Sequence, residues 1–157
     1  MLNIAPAALP HDLPDIRSLF SEYSSLVAEA LCFQNFDQEL AALPGEYVPP
    51  GGALLLARDG GEAHAAAGCV ALRRVDAGTG EMKRMFVREG YRGSGLGRNL
   101  AIAVIEEARK RHYSRIVLDT LPKLATAIAL YRTLGFVEID PYLACPTPGA
   151  ICFGLKL

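Results

Sequence analysis

Between an apolar, strand-like run and a helical run the chain reads YRGSGLGRNL, Tyr91 to Leu100. Gly93, Gly95 and Gly97 alternate there, with Arg92 and Arg98 on either side. Glycine inside a helix costs about 1 kcal/mol relative to alanine, so three of them where a helix begins need a reason. The first amides of a helix have no internal acceptor and carry the positive end of its dipole. A loop without side chains lets an anion reach them. The segment therefore describes an anion cradle suited to phosphate or pyrophosphate. Arg92 and Arg98 can add charge-assisted contacts of roughly 1.5–3 kcal/mol each. A tight strand–helix turn with no ligand is the plainer alternative. Walker A needs a second glycine five residues after Gly93 and then Lys-Ser/Thr; Arg98 stands there instead. The dinucleotide pattern G-x-G-x-x-G also meets Arg98 where its third glycine belongs.

The rest of the chain reads as mixed α/β. LNIAP opens as a strand, and Asp12 can cap a helix carrying Pro14 and Asp15 in its first turn. Ile16, Leu19, Phe20, Tyr23, Val27 and Leu31 keep helical spacing, and a shorter helix covers Phe36 to Leu43. Strands are expected at Ala53–Arg58, at His64–Val75 after a hairpin in RDGGEA, and at Gly80–Arg88. A helix runs to Lys110 with Leu96, Leu100, Val104 and Ala108 along one stripe. Arg115–Thr120 is a strand, KLATAIALYRTLGF a helix ending at Gly135, and FVEID and AICFGLKL are strands. A strand–helix–strand crossover favours parallel pairing of its strands.

At 157 residues, residues 1–157 are expected to form one domain. A formal net charge of −1 argues against a general nucleic-acid or polybasic membrane surface. No apolar run approaches the roughly 20 residues needed to span a bilayer, and the N-terminal stretch lacks the pattern of a signal peptide. Cys32, Cys69, Cys145 and Cys152 form neither CxxC pairs nor a zinc pattern, so no metal is expected. A cytoplasmic chain with reduced, core-packed thiols is the expectation. His112, near a helix end, reads as a polar terminus residue.

RGSGLG, Arg92–Gly97, resembles the R/Q-x-x-G-x-G/A acyl-coenzyme A signature of the GNAT N-acetyltransferase superfamily. The preceding EMKRMFV and the later ALYRTLGF stand where that superfamily leads one to expect them, so the resemblance is specific over Gly80–Ile139. It implies a mixed, mostly antiparallel sheet with flanking helices, whose central strands, EMKRMFV and RIVLDT, splay apart. It implies acetyl-CoA as co-substrate, with its pyrophosphate on Arg92, Gly93, Ser94, Gly95, Leu96, Gly97 and Arg98. The pantetheine arm would lie along Met85, Phe86 and Val87 like an added strand. Dimers are common in the superfamily, so the oligomeric state stays open between monomer and homodimer.

Acetyl transfer to an amine needs a neutral nucleophile, and roughly one lysine-like amine in a few thousand is neutral at pH 7. The resemblance places Tyr131 near the coenzyme A sulfur as the acid; packing beside Ile128 and Leu124 on its helix is compatible with that role. The resemblance also makes Glu81 the leading base candidate, at the start of the central strand where some members place a glutamate that acts on the amine through water. The alternative is a salt bridge from Glu81 to Lys83 or Arg84. Asp119 and Thr120 are second choices, and Asp119 can instead cap the turn before Pro122. The asparagine many family members carry before the last helix is missing from LPKLATA. A backbone N–H of the central strand, that of Phe86 or Met85, is the expected oxyanion donor. Arg84 or Arg74 would either bind an acceptor carboxylate or lie on the surface. Gln34, Asp37, Glu46 and Tyr47 are polar candidates for an acceptor pocket walled by CFQNFDQEL and LPGEYVPP. The expected activity is acetylation of a small-molecule primary amine, with a non-catalytic acyl-CoA sensor and a protein acetyltransferase as alternatives.

Overall fold

The computed structural model describes residues 1–32, 35–61, 63–143 and 146–157, with residues 28–32 described by backbone alone. Among these residues seven strands and four helices follow one another: β1 (Leu2–Pro6), α1 (Leu13–Cys32), α2 (Phe36–Ala42), β2 (Ala53–Asp59), β3 (Ala66–Asp76), β4 (Thr79–Val87), α3 (Leu96–Lys110), β5 (Arg115–Thr120), α4 (Ala125–Thr133), β6 (Val137–Ile139) and β7 (Ile151–Lys156). A 3-10 turn, Glu89–Tyr91, leads from β4 towards α3. The side chains of Leu31 and Cys32, and Gln34 and Cys145 altogether, lie outside the described residues.

All seven strands join one sheet in the order β1-β2-β3-β4-β5-β7-β6. Neighbours are antiparallel except β4 and β5, which are parallel across the α3 crossover. The second crossover, through α4, leaves room for one more strand: β7 slots between β5 and β6 and runs antiparallel to both.

Alternation along the strands divides the core between the two faces, as the period of two requires. Leu55, Val70, Leu72, Ile116 and Leu118 pack with Leu96, Leu100, Val104 and Ala108 of α3. Leu54, Leu56, Cys69 and Ala71 pack with Ile16, Leu19 and Phe20 of α1 and Phe36 of α2. Cys69 and Cys152 are buried free thiols, and burial pushes the Cys69 thiol up to about 12. Asp12 stands before α1 as expected, but its carboxylate accepts from the Ala8 N–H at 2.7 Å and from Arg58 at 2.7 Å. It braces the chain leading into α1 against β2.

Two local features shape the sheet's centre. Among the described residues β4 and β5 pair at three positions, Thr79–Glu81 against Arg115–Val117, and part beyond them. The fork that results is the splay the resemblance implied. Further along β4 the register against β3 shifts, with Cys69 opposite Phe86 but Ala71 opposite Lys83. Arg84 supplies the extra residue, with φ at 57°. This β-bulge reverses the alternation. Met82, Met85 and Val87 join the α3 side, while Phe86 joins the α1 side.

Candidate active site

The fork opens into a cleft of about 620 Å³ that runs between β4, the start of α3, the end of β5 and α4. Met85, Phe86, Val87, Arg92, Gly93, Gly95, Leu96, Gly97, Arg98 and Tyr131 all line it. Of the expected acyl-CoA residues, Ser94 alone is missing from its wall. The Ser94 hydroxyl instead donates to the Tyr91 carbonyl at 2.5 Å and shapes the turn.

At one end the site is backbone. Gly93 has φ 76° and Gly95 φ 83°, both in the left-handed region that side chains disfavour. Gly95 is the N-cap of α3, and no side chain among the described residues caps that terminus. Gly97 has no positive φ, and a Cβ built on it would meet only Leu130 and Val87, at 3.9 Å. The fold thus needs Gly93 and Gly95 for their conformation. Gly97 is dispensable to it and leaves open space above the first helical turn. Arg92 donates from Nε to the Val87 carbonyl at 3.0 Å and lies over the Phe86 ring, and Arg98 reaches Thr133 Oγ1 at 3.3 Å. Both arginines are exposed along the wall of the cleft.

At the other end the site is side chains. Glu81 is fully buried and does not line the cleft. Arg73 Nε donates to its Oε1 at 2.5 Å, and the Tyr142 hydroxyl donates to its Oε2. Arg73 also holds Glu46 at 3.1 Å. The salt bridge expected from Lys83 or Arg84 is therefore made by Arg73, one strand over, where Arg73 and Glu81 are register partners. Arg84 turns the other way. Its guanidinium grips Glu39 of α2 through two bonds of 2.8 and 2.9 Å and lies over the rings of Tyr23 and Phe36. It is buried, neither surface residue nor free carboxylate receptor, while Arg74 is exposed. Bidentate arginine–carboxylate geometry of this kind is rigid.

Tyr131 sits against Phe136 and Phe153, with ring centroids 5.8 and 6.5 Å away, and is 6% exposed. Burial raises its phenol above the ordinary value, so it keeps its proton and can donate. Packing and cleft lining coexist in this one residue. Asp119 and Thr120 line the cleft where β5 has left β4. Burial first, then the Glu81 charge, hold the Asp119 carboxyl above its ordinary value, against Lys83 and Arg84. Lys83 is lowered by burial and by Arg84.

A second, polar cavity of about 420 Å³ lies under α2 and shares Lys83 with the cleft. Glu46 and Tyr47 line it, as expected of an acceptor wall, and so do Glu39 and Arg73; Asp37 is exposed and does not. Sequence reasoning missed the bulge at Arg84, and with it Glu39, Arg73 and Tyr142. Among the described residues no group of three or more His, Cys, Asp or Glu is arranged to hold a metal ion, and no helix is long and apolar enough to cross a membrane.

A fork in a mixed sheet, opening beside an uncapped, glycine-led helix, is the architecture that the resemblance to the GNAT superfamily implied. Comparison with known proteins agrees. The family model described as the acetyltransferase (GNAT) family matches residues 13–136. An uncharacterised N-acetyltransferase of Schizosaccharomyces pombe is 40% identical over 157 residues, spanning 99% of this chain and 95% of its own. A GNAT-family acetyltransferase structure from Staphylococcus aureus superposes with a TM-score of 0.81 at 21% identity, covering 99% of each chain. A GNAT-family acetyltransferase from Elizabethkingia anophelis, solved with acetyl-CoA bound, superposes at 0.66 with 22% identity, covering 99% of this chain and 98% of its own. The chain belongs to the acetyltransferase (GNAT) family and is an acetyltransferase.

Proposed function

We propose that the protein is an acetyl-CoA-dependent N-acetyltransferase that moves the acetyl group to the primary amine of a small molecule, by direct attack in a ternary complex. The observation that carries the proposal is the cleft. It joins uncapped α3 amides, an unpaired length of β4 and a buried tyrosine in one continuous space.

Each part has a task in that reaction. The amides at the start of α3 hold the coenzyme A diphosphate, with the helix dipole adding to the attraction. The stretch Met85–Val87, left without a β5 partner, offers backbone groups to the pantetheine amides, as a strand added to a sheet would receive them. A backbone N–H of the bulged region, from Met85 or Phe86, faces the thioester oxygen as charge develops on it. Tyr131 donates to the departing thiolate. The amine arrives from the second cavity, past Lys83, where Glu39, Glu46 and Tyr47 give it a small, polar approach. A cavity of that size suits a metabolite better than a folded protein segment.

Isothermal titration with acetyl-CoA, together with coenzyme A release on a panel of amino acids, polyamines and aromatic amines, tests the reading. Micromolar binding and release with at least one amine are expected. Binding without release on any amine would favour an acyl-CoA sensor, and absence of binding at millimolar acetyl-CoA would reject the cleft as an acyl-CoA site.

A further inference from the structure

Glu81 and Asp119 lie on the same face of the sheet, and the fork treats them differently. Glu81 is opposite Val117 in the last β4–β5 pair. Ile116 and Leu118 point to the α3 side, so Val117 and Asp119 point the other way, with Asp119 two residues past the last paired position. Glu81 is sealed beneath the junction, one oxygen taken by Arg73 and the other by Tyr142. Asp119 is open to the cleft. Lys83, Arg84 and Glu81 are the charges that act on its carboxyl.

We propose that Asp119 takes the proton from the attacking amine, and that Glu81, fixed by Arg73 and Tyr142, is a positioning residue whose charge keeps Asp119 a proton acceptor. The assignment rests on the acetyltransferase reading above. In the step, the amine nitrogen attacks the thioester carbon, the N–C bond forms and the C–S bond breaks. One N–H proton passes to the Asp119 carboxylate and on to solvent. The coenzyme A sulfur receives a proton from Tyr131, which regains one from solvent. Two carboxylates with different surroundings, one ion-paired and one desolvated, are a general way to separate a fixed charge from a working base. The charged and titratable groups whose charges couple to Asp119 are Glu81, Lys83 and Arg84 of β4, Tyr23 of α1, Tyr142 of the β6–β7 connection and Cys152 of β7. Lys83 and Arg84 favour its charged form; burial and Glu81 oppose it.

Two measurements on the whole protein test this. The first follows the Asp119 carboxyl carbon by NMR titration of protein labelled with carboxyl-13C aspartate, assigned through Asp119→Asn, in the wild type and in Glu81→Gln. Titration above the ordinary aspartate range is expected, moving to lower pH in Glu81→Gln. An ordinary titration point, or none of that movement, overturns the pairing. The second is steady-state kinetics with acetyl-CoA and whichever panel amine the wild type acetylates fastest. Asp119→Asn should lower kcat by about 10²–10⁴-fold with acetyl-CoA affinity by calorimetry within about twofold, and Asp119→Glu should recover part of the rate. In Glu81→Gln the acid limb of the kcat/KM profile should shift to lower pH, which a merely structural role would not produce. Normal turnover by Asp119→Asn overturns the assignment and leaves the acetyltransferase reading intact. No coenzyme A release by the wild type with any amine overturns both.

Discussion

The two ends of the cleft are built from different materials. At the α3 end the binding groups are backbone amides, and the side chains nearby mostly keep out of the way. Gly93 and Gly95 allow the turn, Gly97 leaves space, and the N-terminus carries no side-chain cap among the described residues. At the fork end the groups are charged side chains held by partners distant in sequence. Glu81 meets Tyr142 sixty-one residues away, and Arg84 meets Glu39 forty-five residues away. In the proposed reaction the first end recognises an anion that every acyl-CoA shares, for which a generic backbone cradle suffices. In that reaction the second places charge beside one thioester and one amine, which takes fixed side chains. Preorganised dipoles and charges act most strongly where water is excluded.

The contrast predicts that the fork end is coupled to stability and that Gly97, at the cradle end, is not. Arg73→Ala leaves Glu81 buried without its cation, and breaking such a pair costs about 3–5 kcal/mol. Chemical denaturation should show that loss; a change below about 1 kcal/mol would mean that water reaches Glu81. Tyr131→Phe keeps the packing against Phe136 and Phe153 and removes only the donor. It should lower kcat by at least about a hundredfold, while acetyl-CoA affinity measured by calorimetry stays within about twofold. Equal loss of both would place the hydroxyl in binding rather than in leaving-group protonation.

At the cradle end the effects are smaller and fall on affinity. Gly97→Ala introduces a Cβ that meets nothing closer than 3.9 Å, so melting should be unchanged or slightly raised. Acetyl-CoA should nevertheless bind about tenfold more weakly, a change of about 1.4 kcal/mol, because the added methyl enters the ligand's space. Unchanged affinity would move the diphosphate away from this turn.

The last prediction concerns pH. The folded Asp119 carboxyl is raised, so folding must retain its proton or bear a desolvated charge. That penalty is absent below the unfolded value near 3.8 and is complete above the folded one. Asp119→Asn removes it. The variant should therefore gain stability over the wild type at neutral pH, and the gain should vanish as pH falls towards 4. A variant less stable at neutral pH would show Asp119 to be a structural anion.

The same division explains what could be read in the sequence. The cradle is local: seven consecutive residues, Arg92 to Arg98, carry it, and glycine spacing reports backbone conformation directly. The strand and helix pattern, the parallel β4–β5 pair and the helix end at Gly135 were likewise legible from periodicity and turn chemistry. Glu81 and Tyr131 could be named, but not the partners that set their chemistry. Arg73 lies opposite Glu81 only because of the β3–β4 register, and nothing local in MKRMF announces that Arg84 carries the bulge with φ 57°. Tyr142 is brought over Glu81 by the β6–β7 connection. Nor does the spacing of β5, α4 and β6 disclose that β7 inserts between the two strands. Such facts belong to the assembled sheet.

The central claim is that the backbone at the start of α3 grips the diphosphate of an acyl carrier and thereby lays its thioester in the β4–β5 fork. A crystal structure of the protein with acetyl-CoA tests it most directly. The account predicts diphosphate oxygens within about 3.2 Å of amides between Gly93 and Arg98, and the acetyl carbon in the fork between Tyr131 and Asp119. A diphosphate bound away from α3, or an acetyl group outside the fork, would contradict it.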